Sequence, residues 1–284
     1  MKRILACTAS DYGQASTALE LKEAIRASEG RVILTDIAAE TAPLYPEVTN
    51  GEMAAAFGAD LLLLKAIDVQ KMSISGLGEI DHLSQLRELT GTGVGLNLEI
   101  ADGLSPFKQV NKESIQAALA KGPDFLSLTA YVKPEATAER ILSDILLTRE
   151  SYQGLLMLNP VYSHGMDMSL DTLLSYVEAG VDLLVLPCPG AVAGVTESRL
   201  SEIISAVRKK GALVSCTVGT SQEGTDKETI QQMALSAKRA GADVFELGDA
   251  GVSGMAVPTT IFEASVAIRG RRHTLVRMAR SANR

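Results

Sequence analysis

Apolar residues along this chain fall in short runs, and half of the runs share a preamble. Glycine, any residue and aspartate lead into four mostly apolar positions at Gly58 (GADLLLL), Gly122 (GPDFLSL), Gly180 (GVDLLVL) and Gly241 (GADVFEL), at intervals of 64, 58 and 61 residues. Four other runs alternate with these: VILTDI from Val32, VGLNLEI from Val94, LLMLN from Leu155 and ALVSCTV from Ala212. Successive runs lie about 30 residues apart, the length of one strand, one helix and two short loops, so the repeating unit is βα.

The intervening segments carry the helical period. Leu170, Leu173, Leu174 and Val177 fit i, i+3, i+4, i+7, as do Leu200, Ile203, Ile204 and Val207, and Ile230, Met233, Ala234 and Ala237. Asn111, Thr196 and Asp226 offer side-chain acceptors at helix starts, each with a glutamate close behind, and Gly180, Gly211 and Gly241 are placed to stop helices. Strands buried on both faces and joined by helices make a parallel sheet. Eight such units predict an α/β protein with one (β/α)8 (TIM) barrel; an open doubly wound sheet is the alternative. Residues 1–30, with a stripe of Ala18, Leu21 and Ile25, are expected to form an N-terminal helical extension over the barrel floor. Residues 31–284 are the expected barrel, and no linker divides the chain into a second domain.

Composition narrows the partners. Hydrophobic residues are 46% of 284 but aromatics only 4%, with no Trp, so the core is aliphatic. Lys plus Arg number 27 against 34 Asp plus Glu, and a net charge of −7 argues against nucleic acid or an anionic membrane surface as partner. No uncharged apolar run approaches the roughly 20 residues of a membrane helix. Cys7, Cys188 and Cys216 are odd in number and lack metal-type spacing, which fits reduced thiols in a cytoplasmic protein. The basic tail of Arg269, Arg271, Arg272, His273, Arg277, Arg280 and Arg284 reads as a solvated helix face, or else as a subunit contact in the expected homo-oligomer.

A barrel of this type places its chemistry at the carboxyl ends of its strands. The polar residues there are Asp36, Lys65, Asn97 with Glu99, Thr129, Asn159, Cys188, Cys216 with Thr217, and Glu246 with Asp249. Alternation puts Lys65 on one face with Leu61 and Leu63, Asn97 with Glu99, Asn159 with Met157, and Glu246 with Val244 and Gly248. An ionised group inside a strand is costly unless paired, so Asp36, Lys65, Glu99 and Glu246 are expected to meet at the mouth, with Asn97 and Asn159 beside them. Asp36, Glu99 and Glu246 offer oxygen ligands for Mg²⁺, or a carboxylate tuned as general acid or base. A polar plug without chemistry is the competing reading of the cluster, and a Schiff base at Lys65 a further one.

Three loops are rich in glycine and hydroxyls: CPGAVAG from Cys188, VGTSQEGT from Val218 and LGDAGVSG from Leu247. The last two follow strands seven and eight, where barrels of this fold often hold a phosphate on backbone amides. The candidates are Gly219, Thr220, Ser221, Gly248, Asp249, Gly251, Ser253 and Gly254, with ordinary tight turns as the alternative. His164 after strand five is the best placed of three histidines, too few for a polyhistidine metal centre, and Cys188 reads as a buried, inert thiol. The long first loop, TAPLYPEVTNGEM, has the length of a lid.

On the repeated strand phrase and the GTSQEG and GDAG loops, the chain from Arg31 to about Arg269 resembles the phosphate-binding group of (β/α)8 barrels. That resemblance implies an enzyme, a lyase or isomerase, acting on a small phosphorylated metabolite, and carries over no catalytic residue. A second resemblance is local. VILTDIAAE looks like the first motif of haloacid-dehalogenase-type hydrolases, and FELGDAG looks like their metal motif, which would make Asp36 a nucleophile and Asp249 an Mg²⁺ ligand. Ala38 stands where the acid/base partner would be. The reading favoured is proton transfer next to a carbonyl, with Asp36 or Glu99 as base and Lys65, with or without Mg²⁺, stabilising the oxyanion of an anionic substrate. A non-catalytic metabolite sensor or assembly subunit is the competing class.

Overall fold

The structure is a computed structural model that describes residues 1–13, 17–130, 136–161 and 167–282. Eight parallel strands follow in chain order: β1 (Val32–Ala38), β2 (Leu61–Lys65), β3 (Gly93–Glu99), β4 (Phe125–Thr129), β5 (Leu155–Asn159), β6 (Leu183–Pro187), β7 (Leu213–Val218) and β8 (Val244–Leu247). Each pairs with its neighbours, and β8 pairs back with β1 through Val32 to Thr35, so the sheet closes into a (β/α)8 barrel. Closure removes the open-sheet alternative. With it goes the haloacid-dehalogenase-type reading of Asp36 and Asp249, which needs an open sheet.

Helix α1 (Ala18–Arg26) precedes the barrel, and α2 (Asn50–Phe57), α3 (Ser84–Thr90), α4 (Lys112–Ala120), α5 (Ala138–Arg149), α6 (Leu170–Glu178), α7 (Glu197–Lys209), α8 (Lys227–Ala240) and α9 (Pro258–Ala279) surround it. Among the described residues no helix is long and apolar enough to cross a membrane. The expected caps are present: Asn111 accepts from the Ser114 amide, Thr196 from that of Arg199 and Asp226 from that of Thr229. The first long loop is shorter than its composition suggests. Thr49 and Glu52 cap each other reciprocally, which starts α2 at Asn50 and leaves the loop to end there.

Strand alternation divides the apolar residues into two clusters. Ile33, Leu62, Leu64, Leu96 and Leu126 face outward and pack with the helices. Val32, Leu34, Leu61, Leu63, Phe125, Met157 and Val185 face inward, together with Ile4, Tyr12, Leu21 and Ile25 from the residues before β1. Two inward glycines of β3 make room for this filling. A Cβ at Gly95 would stand 2.3 Å from the Phe125 ring, and one at Gly93 would stand 2.7 Å from the Tyr12 ring. The interior turns polar only towards the carboxyl ends of the strands, where Asp36, Asn97, Ser127, Thr129, Ser215 and Glu246 are buried.

The Gly-x-Asp phrase is a clamp at the opposite, amino-terminal face. Asp60, Asp124, Asp182 and Asp243 donate their amides to the carbonyls of Ile33, Val94, Leu156 and Val214. Their carboxylates accept from the amides of those same four residues at 2.8–3.2 Å. An arginine completes each clamp: Arg269 with Asp60, Arg87 with Asp124, Arg149 with Asp182 and Arg208 with Asp243. The same arginine also donates to the carbonyl of the glycine, Gly58, Gly122, Gly180 or Gly241, each at positive φ. The phrase thus locks each even strand to the odd strand before it.

Arg269 therefore departs from the expectation of a solvated basic face. Helix α9 kinks at Gly270 (φ 79°, ψ 162°). Arg277 reaches the Ala59 carbonyl at 3.0 Å, and Arg280 reaches those of Cys7 and Leu5. Only Arg271 and Arg272 are exposed among the described arginines of this segment: Arg269, ahead of the kink, and Arg277 and Arg280, beyond it, are bonded to the barrel and the residues before it. Replacing Asp124 with alanine removes the ion-pair partner of the buried Arg87 and the side-chain acceptor of the Val94 amide. Chemical denaturation should show a loss of about 3–5 kcal/mol, and a loss below about 1 kcal/mol would refute the clamp.

Candidate active site

Alternation and register deliver the polar residues to one place. Asp36 lies opposite Leu63, one inward step below Lys65, which ends β2 opposite Ala38. Glu246 lies opposite Leu34, one inward step below Asp36. A cavity of about 210 Å³ opens at this level, lined by Asp36, Lys65, Asn159, Thr217, Gly219, Thr220, Glu223, Gly248 and Asp249. Val161, Pro187, Ala191 and Val192 give it an apolar wall.

Lys65 is the centre of the arrangement. Its ammonium donates to Asp36 Oδ2 at 3.3 Å, with side chains 15% and 3% exposed. Burial works to lower its pKa, yet the fields of Asp36, Asp249, Glu99 and Glu246 together outweigh burial and hold it above the ordinary lysine value. Burial, reinforced by Glu246 and Asp249, pushes Asp36 well above the ordinary aspartate value against the pull of Lys65. Asp36, Lys65, Glu99 and Glu246 thus form one electrostatic cluster, as their strand positions predict.

The carboxyls differ in access. Glu246 is fully buried, accepts from the Ser215 hydroxyl at 2.8 Å and is pushed up to about 7 by burial. Glu99 accepts from Asn97 Nδ2 at 2.7 Å, and Thr129 donates to Asn97 Oδ1 at 2.7 Å, so Asn97 orients Glu99 from behind. Neither Glu99 nor Glu246 lines the cavity, whereas Asp36 and Asn159 do. One oxygen each of Asp36 (Oδ1), Glu99 (Oε2), Glu223 (Oε2) and Glu246 (Oε1) is buried without a hydrogen-bond partner.

The expected Mg²⁺ ligand set does not form. Among the described residues no group of three His, Cys, Asp or Glu side chains is arranged to hold a metal ion. Asp36 is engaged by the Lys65 ammonium, Glu99 by Asn97 and Glu246 by Ser215, so the three carboxylates are turned to different partners.

The two glycine-rich loops divide by role. Gly219, Thr220, Gly248 and Asp249 line the cavity. Ser221, left-handed at φ 71°, precedes the short turn Gln222–Gly224 and does not line it. Gly251, Ser253 and Gly254 are also away from it. They build the tight turn closed by Val252 and Met255, which staples the last loop to the first: Ser253 Oγ donates to the Ala42 carbonyl, and Ala38 N donates to the Gly254 carbonyl at 2.8 Å. Cys188 is buried, donates to the Met233 carbonyl and is pushed up to about 12 by burial, as an inert thiol is. His164 lies outside the described residues.

A family model described as a domain of unknown function, DUF7916, matches residues 5–284, almost the whole chain. The chain belongs to the DUF7916 family. No curated protein matches this DUF7916 member. Solved structures do. A dihydrodipicolinate synthase from Bacillus clausii is 12% identical over 89% of this chain and 79% of its own, with a TM-score of 0.56. A thiamine phosphate pyrophosphorylase from Pyrococcus furiosus is 15% identical over 84% and 96%, with a TM-score of 0.51. At this identity the likeness shows the barrel fold.

Glu223 of this DUF7916 chain is a cavity residue that strand-end reasoning misses. It sits in the loop after β7, 1% exposed, and its Oε1 accepts from the Ala250 amide at 2.9 Å, which joins the last two loops. Burial raises its pKa. The signal was an acid inside GTSQEGT, in a loop that draws notice for its glycines and hydroxyls.

Glu246 gives the site a signature in stability. Its folded-state pKa, about 7, stands above the ordinary value of 4.5, so the folded chain holds this proton more tightly than the unfolded one. That contribution is complete below pH 4.5 and is lost as the pH rises through 7, at a cost on the order of 3 kcal/mol. Glu246→Gln should lack this loss, so its stability relative to the parent should climb between those two pH values. Parallel curves would refute the assignment.

Proposed function

We propose that this cavity is the active site of a lyase- or isomerase-type enzyme that moves a proton next to the carbonyl of a small, phosphorylated metabolite. The Asp36–Lys65 pair in the cavity wall carries this reading. A substrate carbonyl set against the Lys65 ammonium is polarised by it, and the charge developing on oxygen as the neighbouring C–H bond breaks is met by a cation already in place. Asp36 takes the proton. Its raised basicity suits a base that must capture a carbon-bound proton and return it to the same or an adjacent carbon. Between the two expected bases, access to the cavity favours Asp36 over Glu99.

The raised pKa of Lys65 supports electrostatic stabilisation rather than imine formation, which needs the neutral amine. Asn159 stands in the wall as a second neutral polar contact for the substrate, and Glu246 and Asn97 with Glu99 act from behind on the field at Lys65. The substrate's phosphate is assigned to the loops after β7 and β8, where Gly219, Thr220 and Gly248 bring backbone to the cavity edge.

Proton transfer next to a carbonyl leaves a label in deuterium oxide even when the full reaction is unknown. The protein, incubated with pools of phosphorylated carbonyl metabolites, should catalyse deuterium uptake at the carbon beside the carbonyl, read by proton NMR. Asp36→Asn and Lys65→Met should each slow it by about 10²–10⁴-fold. Uptake that survives both substitutions, or none with any carbonyl compound, would overturn the proposal.

A further inference from the structure

We infer that the reacting end of the substrate is a neutral hydroxycarbonyl, a carbonyl flanked by hydroxyl groups, and not a 2-oxo carboxylate. The inference rests on the proton-transfer reading above and names its substrate class.

It follows from the balance of donors and acceptors. Asp36, Glu223 and Asp249 line the cavity, and Glu99 and Glu246 add their fields at Lys65. Against these five carboxyls the described lining residues hold one cationic side chain, Lys65, already bonded to Asp36. Among the partnerless buried oxygens, four belong to carboxyls at this end and are acceptors when ionised: Asp36 Oδ1 and Glu223 Oε2 on cavity residues, Glu99 Oε2 and Glu246 Oε1 behind them. Buried acceptors without donors are costly, and a ligand that brings O–H groups removes that cost.

A 2-oxo carboxylate does the opposite. It brings two more acceptor oxygens and a negative charge into a low-dielectric space whose single ammonium is already engaged, where repulsion from Asp36, Glu223 and Asp249 is strongest. A hydroxyl donates to a carboxyl and accepts from Lys65, and its carbon skeleton has an apolar wall at Val161, Pro187, Ala191 and Val192.

Calorimetric titration of the full chain at pH 7.5 separates the classes, with dihydroxyacetone and erythrulose as neutral probes and pyruvate and 2-oxobutyrate as charged ones of similar size. The hydroxycarbonyls should bind at least about tenfold more tightly than the oxo acids. Asp36→Asn should narrow that ratio by weakening the first group and easing entry of the second, and Glu223→Gln, checked for an unchanged melting temperature, should narrow it too. Oxo acids that bind as tightly as the hydroxycarbonyls, or hydroxycarbonyls weaker than about 10 mM, would overturn the inference. Deuterium uptake into pyruvate that depends on Asp36 would overturn the substrate class while sparing proton transfer. Tight hydroxycarbonyl binding without uptake into any carbonyl compound would support the class and sink the mechanism.

Discussion

Lys65 stands 3.3 Å from Asp36 with both side chains largely buried, and its single charge acts on Asp36, Glu99, Glu223 and Glu246 at once. Four carboxyls act on it, and it is the cation that makes their burial tolerable. Without it, Asp36 would be a buried charge with no partner, a state that costs several kcal/mol. The cluster is therefore one unit, in which moving a proton or a substrate oxygen at any member changes the balance for the rest. This coupling is what makes it suited to chemistry that begins and ends with a proton.

The two ends of the barrel show opposite treatments of the same residue types. At the amino-terminal face Asp60, Asp124, Asp182 and Asp243 each hold a backbone amide and an arginine, a network that fixes strand to strand and leaves the buried Asp60 Oδ1, 3.7 Å from Arg277, without a hydrogen bond. At the carboxyl-terminal face Asp36, Glu99, Glu223 and Glu246 each keep an oxygen without a partner. Satisfied groups stabilise; unsatisfied buried ones persist where something else completes them. The Tyr12 and Phe125 rings, seated against Gly93 and Gly95, seal the space between the two faces. Polar chemistry is thereby confined to one opening.

Much of this was legible in the chain. The eight apolar runs, their 30-residue rhythm and the caps at Asn111, Thr196 and Asp226 all correspond to observed elements, because strand and helix periods are local properties. The convergence of Asp36, Lys65, Glu99 and Glu246 was legible as well, since period-two alternation fixes which side chains share the interior once closure is assumed. Three things were not. Glu223 is buried by a neighbouring loop rather than by its own strand. Gly251, Ser253 and Gly254 resemble a phosphate cradle in composition but are spent on a turn, and composition does not distinguish the two. Arg269, Arg277 and Arg280 read as a solvated face, but their partners, Asp60, Ala59, Cys7 and Leu5, are more than 200 positions away in the chain.

The sequence by itself determined that the chain makes eight alternating strands and helices with polar strand ends, because hydrophobic periodicity and capping act over a few residues. Tertiary structure alone decided that β8 meets β1, that Lys65 engages Asp36, that no three-carboxylate metal group is gathered among the described residues, and which loop residues face the cavity. Those outcomes depend on contacts between residues distant in the chain, 29 positions for Lys65 and Asp36 and about 212 for the pairing of β8 with β1, whose energies exist only once the barrel has closed.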